Sequence, residues 1–240
     1  MSGLSILMPV FNERATLEAA IDGVLTTEYP VGEIELIVID DGSTDGTSEV
    51  IAGRDWPANV RLLSHAHNRG KGAALRTGVA EASLPYTAIM DADLEYDPAD
   101  LATLLEPVLS GDAEVVFGTR GFASHSAFSF WYVMGNRGVT LACNLLYNCW
   151  LADIMTCHKV MATSVLASLD LRASGFTIEP EITARLLTAG HRIYEIPITY
   201  HARNREEGKK LTASDGVRVL GTLLRCRVTW PGRRAGSRRG

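Results

Sequence analysis

The sequence predicts an α/β fold with a mostly parallel central sheet and helices on both faces. Three observations carry this. Short apolar runs that read as strands alternate with segments of helical periodicity. The run Ile34-Glu35-Leu36-Ile37-Val38-Ile39 is nearly continuous, as expected of a strand covered on both sides. Each run also ends in a polar or acidic cluster, and ligands on such sheets bind outside the carboxyl ends of the strands.

Leu4 to Val10 reads as the first strand and Phe11 to Arg14 as a turn. Residues 15–26 read as a helix, with Leu17, Ile21, Val24 and Leu25 on one face. A second strand, 33–39, ends in Asp40-Asp41-Gly42-Ser43-Thr44-Asp45, and a helix follows over 47–53. The third strand is 60–63. Asn68-Arg69-Gly70-Lys71-Gly72 then makes a glycine-rich turn into a helix over 73–82. The fourth apolar run ends abruptly in Asp91-Ala92-Asp93-Leu94-Glu95. A helix over 97–109 has Pro98 in its first turn, and a strand over 114–120 ends in Arg120. Residues 127–151 are rich in aromatics and interrupted by Gly135-Asn136-Arg137. They read as a pair of core helices or as an amphipathic element at a membrane interface. A polar turn and short strand occupy 153–161. Gly175 to Glu181 leads into a helix ending near Ala189. Residues 193–200 alternate like a strand, and Pro197 places it at an edge. A charged loop, 203–210, and an amphipathic helix, 214–227, complete the pattern.

The length suits one large α/β domain over 1–228. The net charge of −5 gives no case for nucleic acid as a partner. Six arginines and no acid fall within 225–240, so the remainder carries a net of −11. The basic end, 229–240, is expected to be disordered or to touch an anionic surface. No Cys-x-x-Cys pair occurs among Cys143, Cys149, Cys157 and Cys226. Free thiols, and so a reducing cytoplasm, are expected. No signal peptide and no apolar run long enough to span a bilayer is visible, so any membrane contact is expected to be peripheral, on the inner face.

Two carboxylates at a strand end repel one another unless a cation sits between them. A hard divalent ion, Mg²⁺ or Mn²⁺, is the natural partner of Asp91 and Asp93, with Glu95 as a third oxygen donor. On a nucleotide-type sheet such an ion would bridge a diphosphate. Lys71 and Arg120 add positive charge, and Asp41 can accept a hydrogen bond from a base N–H.

The ordered set Pro9-Val10-Phe11-Asn12-Glu13, Asp40 to Asp45, Asn68 to Ala73 and Asp91-Ala92-Asp93 resembles glycosyltransferase family 2. Within it, the chain resembles the dolichol-phosphate mannose synthase-like branch from about Leu4 to Arg225. The resemblance implies the GT-A fold, with a nucleotide-binding half of about 1–120 and an acceptor half of about 121–228. It implies an inverting hexosyltransferase that uses a UDP- or GDP-sugar. It places Pro9, Phe11, Glu13, Asp41 and Lys71 around the nucleoside. Asp91, Ala92 and Asp93 lie at the metal and diphosphate, Arg120 at phosphate, and Arg203 and Lys209 in a basic loop over the diphosphate. Arg137 is implied to face an acceptor phosphate, and Asp153 to Lys159 to lie near the transferred sugar. His158 replaces the usual Tyr or Phe and is read as a half-buried ring.

The implied acceptor is a polyprenyl phosphate, whose oxygen is already an anion. The alternative is a soluble or cell-wall glycan hydroxyl, which needs a carboxylate base from Asp153, Glu179 or Glu181. A non-catalytic nucleotide-binding subunit is a further reading. A nucleotidyltransferase would want a glycine- and basic-rich loop where Phe11-Asn12-Glu13 stands.

Overall fold

The structure is a computed structural model that describes residues 2–121, 130–202 and 213–229. Its sheet has seven strands: β1 (Gly3–Val10), β2 (Glu33–Asp40), β3 (Val60–Ser64), β4 (Tyr86–Ile89), β5 (Val115–Arg120), β6 (Lys159–Ala162) and β7 (Ile193–Ile198). Their order is β3-β2-β1-β4-β6-β5-β7. The first four pair in parallel, as do β5 and β7. β6 runs antiparallel between β4 and β5.

The helices are α1 (Leu17–Thr26), α2 (Thr47–Ala52), α3 (Lys71–Glu81), α4 (Pro98–Ser110), α5 (Phe130–Tyr147), α6 (Thr163–Ser168), α7 (Ile178–Ala189) and α8 (Ala213–Thr229). β1 and β2 bury almost every side chain, so both faces of the sheet are covered. α3 packs on β1 and β2, and α4 on β5 and β6. A second apolar cluster, built on Cys143, Ile154, Ala184, Val219 and Leu223, joins α5, α7 and α8.

The reversal at β6 positions the site. Lys159, its first residue, pairs with Ile89 of β4 and Phe117 of β5. The preceding turn, 153–158, therefore arrives at the carboxyl ends of the parallel strands. One expectation needs correction. α5 is one helix running through Gly135-Asn136-Arg137, not two, because Gly135 and Gly138 lie on open surface and need no break. The basic end from 230, and the loop containing Arg203 and Lys209, lie outside the described residues.

The glycine turn before α3 is fitted against another part of the chain. Gly70 has φ +91°, and a Cβ there would stand 2.3 Å from the Ser174 carbonyl oxygen. At Gly72 it would stand 2.3 Å from that of Ala173. Backbone cannot yield as a side-chain tip can. Gly72→Ala is therefore expected to cost about 1–3 kcal/mol and lower the melting temperature by several degrees. Gly138→Ala, on open helix surface, is expected to be neutral or stabilising by up to about 1 kcal/mol. Thermal unfolding of the two variants checks this.

Candidate active site

The loops after β1 and β2 are laced together by backbone and short side chains. Asn12, held at φ +58°, accepts from the Thr44 N–H at 2.8 Å, and its own N–H reaches Ser43 Oγ at 2.9 Å. The Glu13 N–H donates to Thr47 Oγ1, and the Glu13 carboxylate accepts from Thr16 Oγ1 at 2.8 Å. Pro9 is the half-buried penultimate residue of β1, and Phe11 is exposed. A cleft of about 590 Å³ opens here, with Phe11, Gly42, Ser43, His65, His67 and Asn68 in its wall.

Asp41 does not present its carboxylate to that cleft as a ready base acceptor. It is buried, and it accepts from the Gly70 N–H at 2.6 Å and the Arg69 N–H at 3.0 Å. His65 Nδ1 lies 2.6 Å away, while Nε2 of the same ring meets Thr77 Oγ1. Asp41 thus ties the end of β2 to the glycine turn and so fixes where Lys71 begins α3.

From Lys71 an alternating row of charges runs inward. Lys71 Nζ lies 2.7 Å from one oxygen of Asp91 and 2.9 Å from the other, and 3.0 Å from Glu179 Oε1. The second oxygen of Glu179 meets Nζ of Lys159, which also donates to the Thr156 carbonyl. Lys159 is wholly buried, and its ammonium sits 4.7 Å over the Phe117 ring. Burial opposes the charge on Lys71, but Asp91, Cys157 and Glu179 outweigh it and raise the ammonium well above its ordinary value. Burial likewise opposes the charge on Asp91, and Lys71 overrides it and keeps the carboxyl low. The sequence shows this row only in part: Glu179 reads as a candidate base, and Lys159 carries its signal as a lysine opening the apolar strand Lys-Val-Met-Ala.

A second buried pair lies beside the first. Arg120 grips Asp153 with Nε at 2.6 Å and Nη2 at 3.0 Å. Asn136 Nδ2 donates to the same carboxylate at 3.1 Å. Burial would raise Asp153, but Arg120 holds its carboxyl below the usual range. The guanidinium also stands 5.2 Å over the ring of Tyr200. Tyr96, Tyr200 and His158 form an aromatic wall, with ring centroids 5.1 Å apart for the tyrosines and 4.6 Å apart for Tyr96 and His158. His158 is fully buried rather than half-buried, and among the described residues neither ring nitrogen has a hydrogen-bond partner. Burial, aided by Lys159 and Lys71, pushes its pKa down to about 3, so the ring is neutral.

Several expectations change here. Asp153 and Glu179 are held by cations and are not poised as bases. Glu181 is taken up structurally, by Arg185 at 2.7 Å and the N–H groups of Arg172 and Ala173. Arg120 serves Asp153 in this state. Arg137 lies on the exposed face of α5, because one residue along a helix is a rotation of about 100° and Asn136 is the one turned inward.

Asp91, Asp93 and Glu95 do not form a three-carboxylate cage. Among the described residues no group of three or more His, Cys, Asp or Glu is placed to hold a metal. Leu94, at φ +60°, folds the run into a tight turn in which Asp93 Oδ1 accepts from the Glu95 N–H at 3.1 Å. The Glu95 carboxylate accepts from the Tyr200 hydroxyl at 2.6 Å, and Asp91 is on Lys71. Ala92 is buried between them. A magnesium-type ion on a phosphate ligand commonly takes one or two carboxylates and fills the rest with phosphate and water. Asp93, half-buried at this turn, fits that demand, with Asp91 beside it.

With this geometry in place, similarity to known proteins becomes informative. Residues 5–169 match the sequence pattern of glycosyl transferase family 2. Glycosyltransferase AglJ of Haloferax volcanii is 29% identical over 199 residues, 82% of this chain and 63% of that protein. The hexosyltransferase Agl6 of low-salt glycan biosynthesis, from the same organism, is 28% identical over 224 residues, 92% of this chain and 53% of that protein. The chain thus spans between half and two-thirds of the length of these relatives. A poly-β-1,6-N-acetyl-D-glucosamine synthase of Staphylococcus epidermidis is 37% identical over 97 residues, 40% of this chain and 23% of the synthase. Glucosyl-3-phosphoglycerate synthase of Mycobacterium tuberculosis, solved with Mn²⁺, UDP and glucosyl-3-phosphoglycerate, shares the fold. The TM-score is 0.70 at 22% identity, over 94% of this chain and 80% of that one. The match covers the strand ends where Lys71, Asp91 and Asp93 converge, and on it the chain belongs to glycosyl transferase family 2.

Proposed function

We propose that this chain transfers a hexose from a UDP- or GDP-sugar to a polyprenyl phosphate, with inversion at the anomeric carbon. One observation carries the choice of acceptor. Each of the three candidate bases read from the sequence is engaged: Asp153 by Arg120, Glu179 by Lys159 and Lys71, Glu181 by Arg185. A phosphate acceptor needs no such base, because its oxygen is already an anion. A glycan hydroxyl is the second reading, and the stretch shared with the poly-N-acetylglucosamine synthase favours it.

In this reading the nucleoside lies over the ends of β1 and β2, near Pro9, Phe11 and Glu13. Its diphosphate points toward Lys71. Lys71 stands at the first residue of α3, where the helix dipole adds partial positive charge. A divalent cation held at Asp93, with Asp91 beside it, would neutralise charge on the departing diphosphate. The acceptor oxygen attacks from the opposite side of the sugar. Tyr96, Tyr200 and His158 exclude water there, and a neutral His158 adds no competing charge. Stabilising the leaving group is the largest demand, and Lys71 answers it with the ammonium now shared by Asp91 and Glu179.

Two predictions follow from this arrangement. Purified protein with Mn²⁺ and each nucleotide sugar is expected to glycosylate a polyprenyl phosphate but not the matching polyprenol. Transfer to the alcohol or to a glycan, with none to the phosphate, would overturn the acceptor. In the same assay EDTA is expected to abolish turnover, and Asp93→Asn or Lys71→Ala to lower it by about 10²–10³-fold. Full activity in Asp93→Asn would remove the ion from that carboxylate. The second prediction separates structure from catalysis. Asp153→Asn removes the buried carboxylate that Arg120 grips and is expected to cost about 3–5 kcal/mol in urea unfolding. An unchanged midpoint, with loss confined to hydroxyl acceptors, would instead make Asp153 a base.

A further inference from the structure

α5 and α8 are apolar on two opposite sides. In α8 the buried side is Val219, Thr222, Leu223 and Cys226. Val217, Leu220, Leu224 and Val228 lie about 110–190° round the helix from it, at roughly 100° per residue, and all four are exposed. α5 repeats the pattern. Asn136, Thr140 and Cys143 face inward, while Trp131, Met134, Leu141 and Leu145 form a stripe on the far side. Trp131 is 79% exposed and Leu145 76%, and Trp150, just beyond the helix, is 89% exposed. Both helices pack on the same inner cluster with α7, so the outer stripes belong to one region of the molecule. Scattered exposed apolar residues are ordinary, but two full-length helical stripes are not.

The charges beside the stripes indicate what covers them. Arg218 and Arg225 lie about 95–115° to one side of the α8 stripe and Arg227 about 65° to the other. Arg137 is the one charged residue of α5, and the two helices together hold four arginines against Asp215. The chain beyond α8 adds Arg233, Arg234, Arg238 and Arg239 and no acid. An apolar stripe bordered by arginines, with tryptophans at the margin, is the pattern of a helix lying in a lipid headgroup layer. A second copy of the same face would set arginine against arginine.

We propose that the outer face of α5 and α8 docks the protein on an anionic lipid bilayer, with the apolar stripes entering the headgroup boundary and the arginines meeting lipid phosphates. The surface lies outside the proposed catalytic residues, and its test needs no substrate. Protein is floated with vesicles of phosphatidylcholine, or of phosphatidylcholine mixed with phosphatidylglycerol, at low and high salt. Binding is expected to the anionic vesicles and to weaken with salt. Leu145→Glu/Leu224→Glu is expected to lower the bound fraction by about tenfold or more. The melting temperature and the shift produced by nucleotide with Mn²⁺ should stay unchanged, since both side chains are exposed. Arg218→Glu/Arg225→Glu is expected to abolish the preference for anionic lipid. Absence of binding to anionic vesicles, or binding indifferent to these substitutions, overturns the proposal. So does a stable dimer in light scattering that Leu145→Glu/Leu224→Glu dissociates, because a second copy would then own the face. Failure of the acceptor assignment leaves this readout untouched, since the vesicles contain no polyprenyl phosphate.

Discussion

The row of alternating charge from Asp91 through Lys71 and Glu179 to Lys159 is the constraint on which the site depends. Lys159 is fully buried and Glu179 nearly so, and an ion left unpaired at that depth costs several kcal/mol. Each member therefore holds its neighbour in place. The four come from four elements: the end of β4, the start of α3, the first turn of α7 and the start of β6. Electrostatic neutrality thus fixes the junction of the donor-side helix with the elements behind it. It also leaves the exposed end of the row responsive. In the proposed reading, a diphosphate reaching Lys71 would compete with Asp91 for the ammonium, and a released Asp91 would then face incoming negative charge. A cation bound there would offset that imbalance.

The reversed strand makes the row possible. Had β6 run parallel to its neighbours, Lys159 would lie at the far edge of the sheet and the turn 153–158 would be remote from the site. Running antiparallel, it brings Cys157 and His158 near Asp91, Lys159 to Glu179 and Asp153 to Arg120. The tyrosines complete the same logic. Tyr96 and Tyr200 form an isolated antiparallel bridge, and the Tyr200 hydroxyl holds Glu95. The turn carrying Asp93 is therefore anchored from the end of β7, so the acid is set by tertiary contacts and not by its own loop alone.

Much of this was legible in the sequence, and what was not has a common cause. Strand runs and helical periodicities are local signals, and they gave the alternation and the acids at the strand ends. Partner choice is not local. Glu179 and Glu181 look alike, two carboxylates flanking Pro180. Yet one turns to lysines from α3 and β6, and the other to Arg185 four residues on. Asp41 reads as an exposed acceptor after β2, but the glycine turn after β3 folds back and supplies its donors. Arg137 and Asn136 are adjacent, and only the phase set by packing on Cys143 and Thr140 decides which one faces Asp153. Lys159 carried a detectable signal, since a lysine in an apolar strand must find an anion.

The second half of the chain shows where periodicity misleads. A helix apolar on one side reads as amphipathic, and its apolar side is assigned to the core. α8 has apolar residues on both sides, so its sequence suits equally a helix buried all round or one held between protein and another apolar phase. The arginines decide between these. Arg218, Arg225 and Arg227 fall in the bands between the two stripes, and their exposed charges forbid burial all round. Arginine in those bands can keep its guanidinium in water while its stem covers apolar surface. The same reasoning applies to α5, where glycine and alanine between the apolar residues leave the stripe smooth and Arg137 marks its border. The inner sides of these helices thus complete the fold around α7. Their outer sides are exposed, and they are the surface the proposed lipid contact would use.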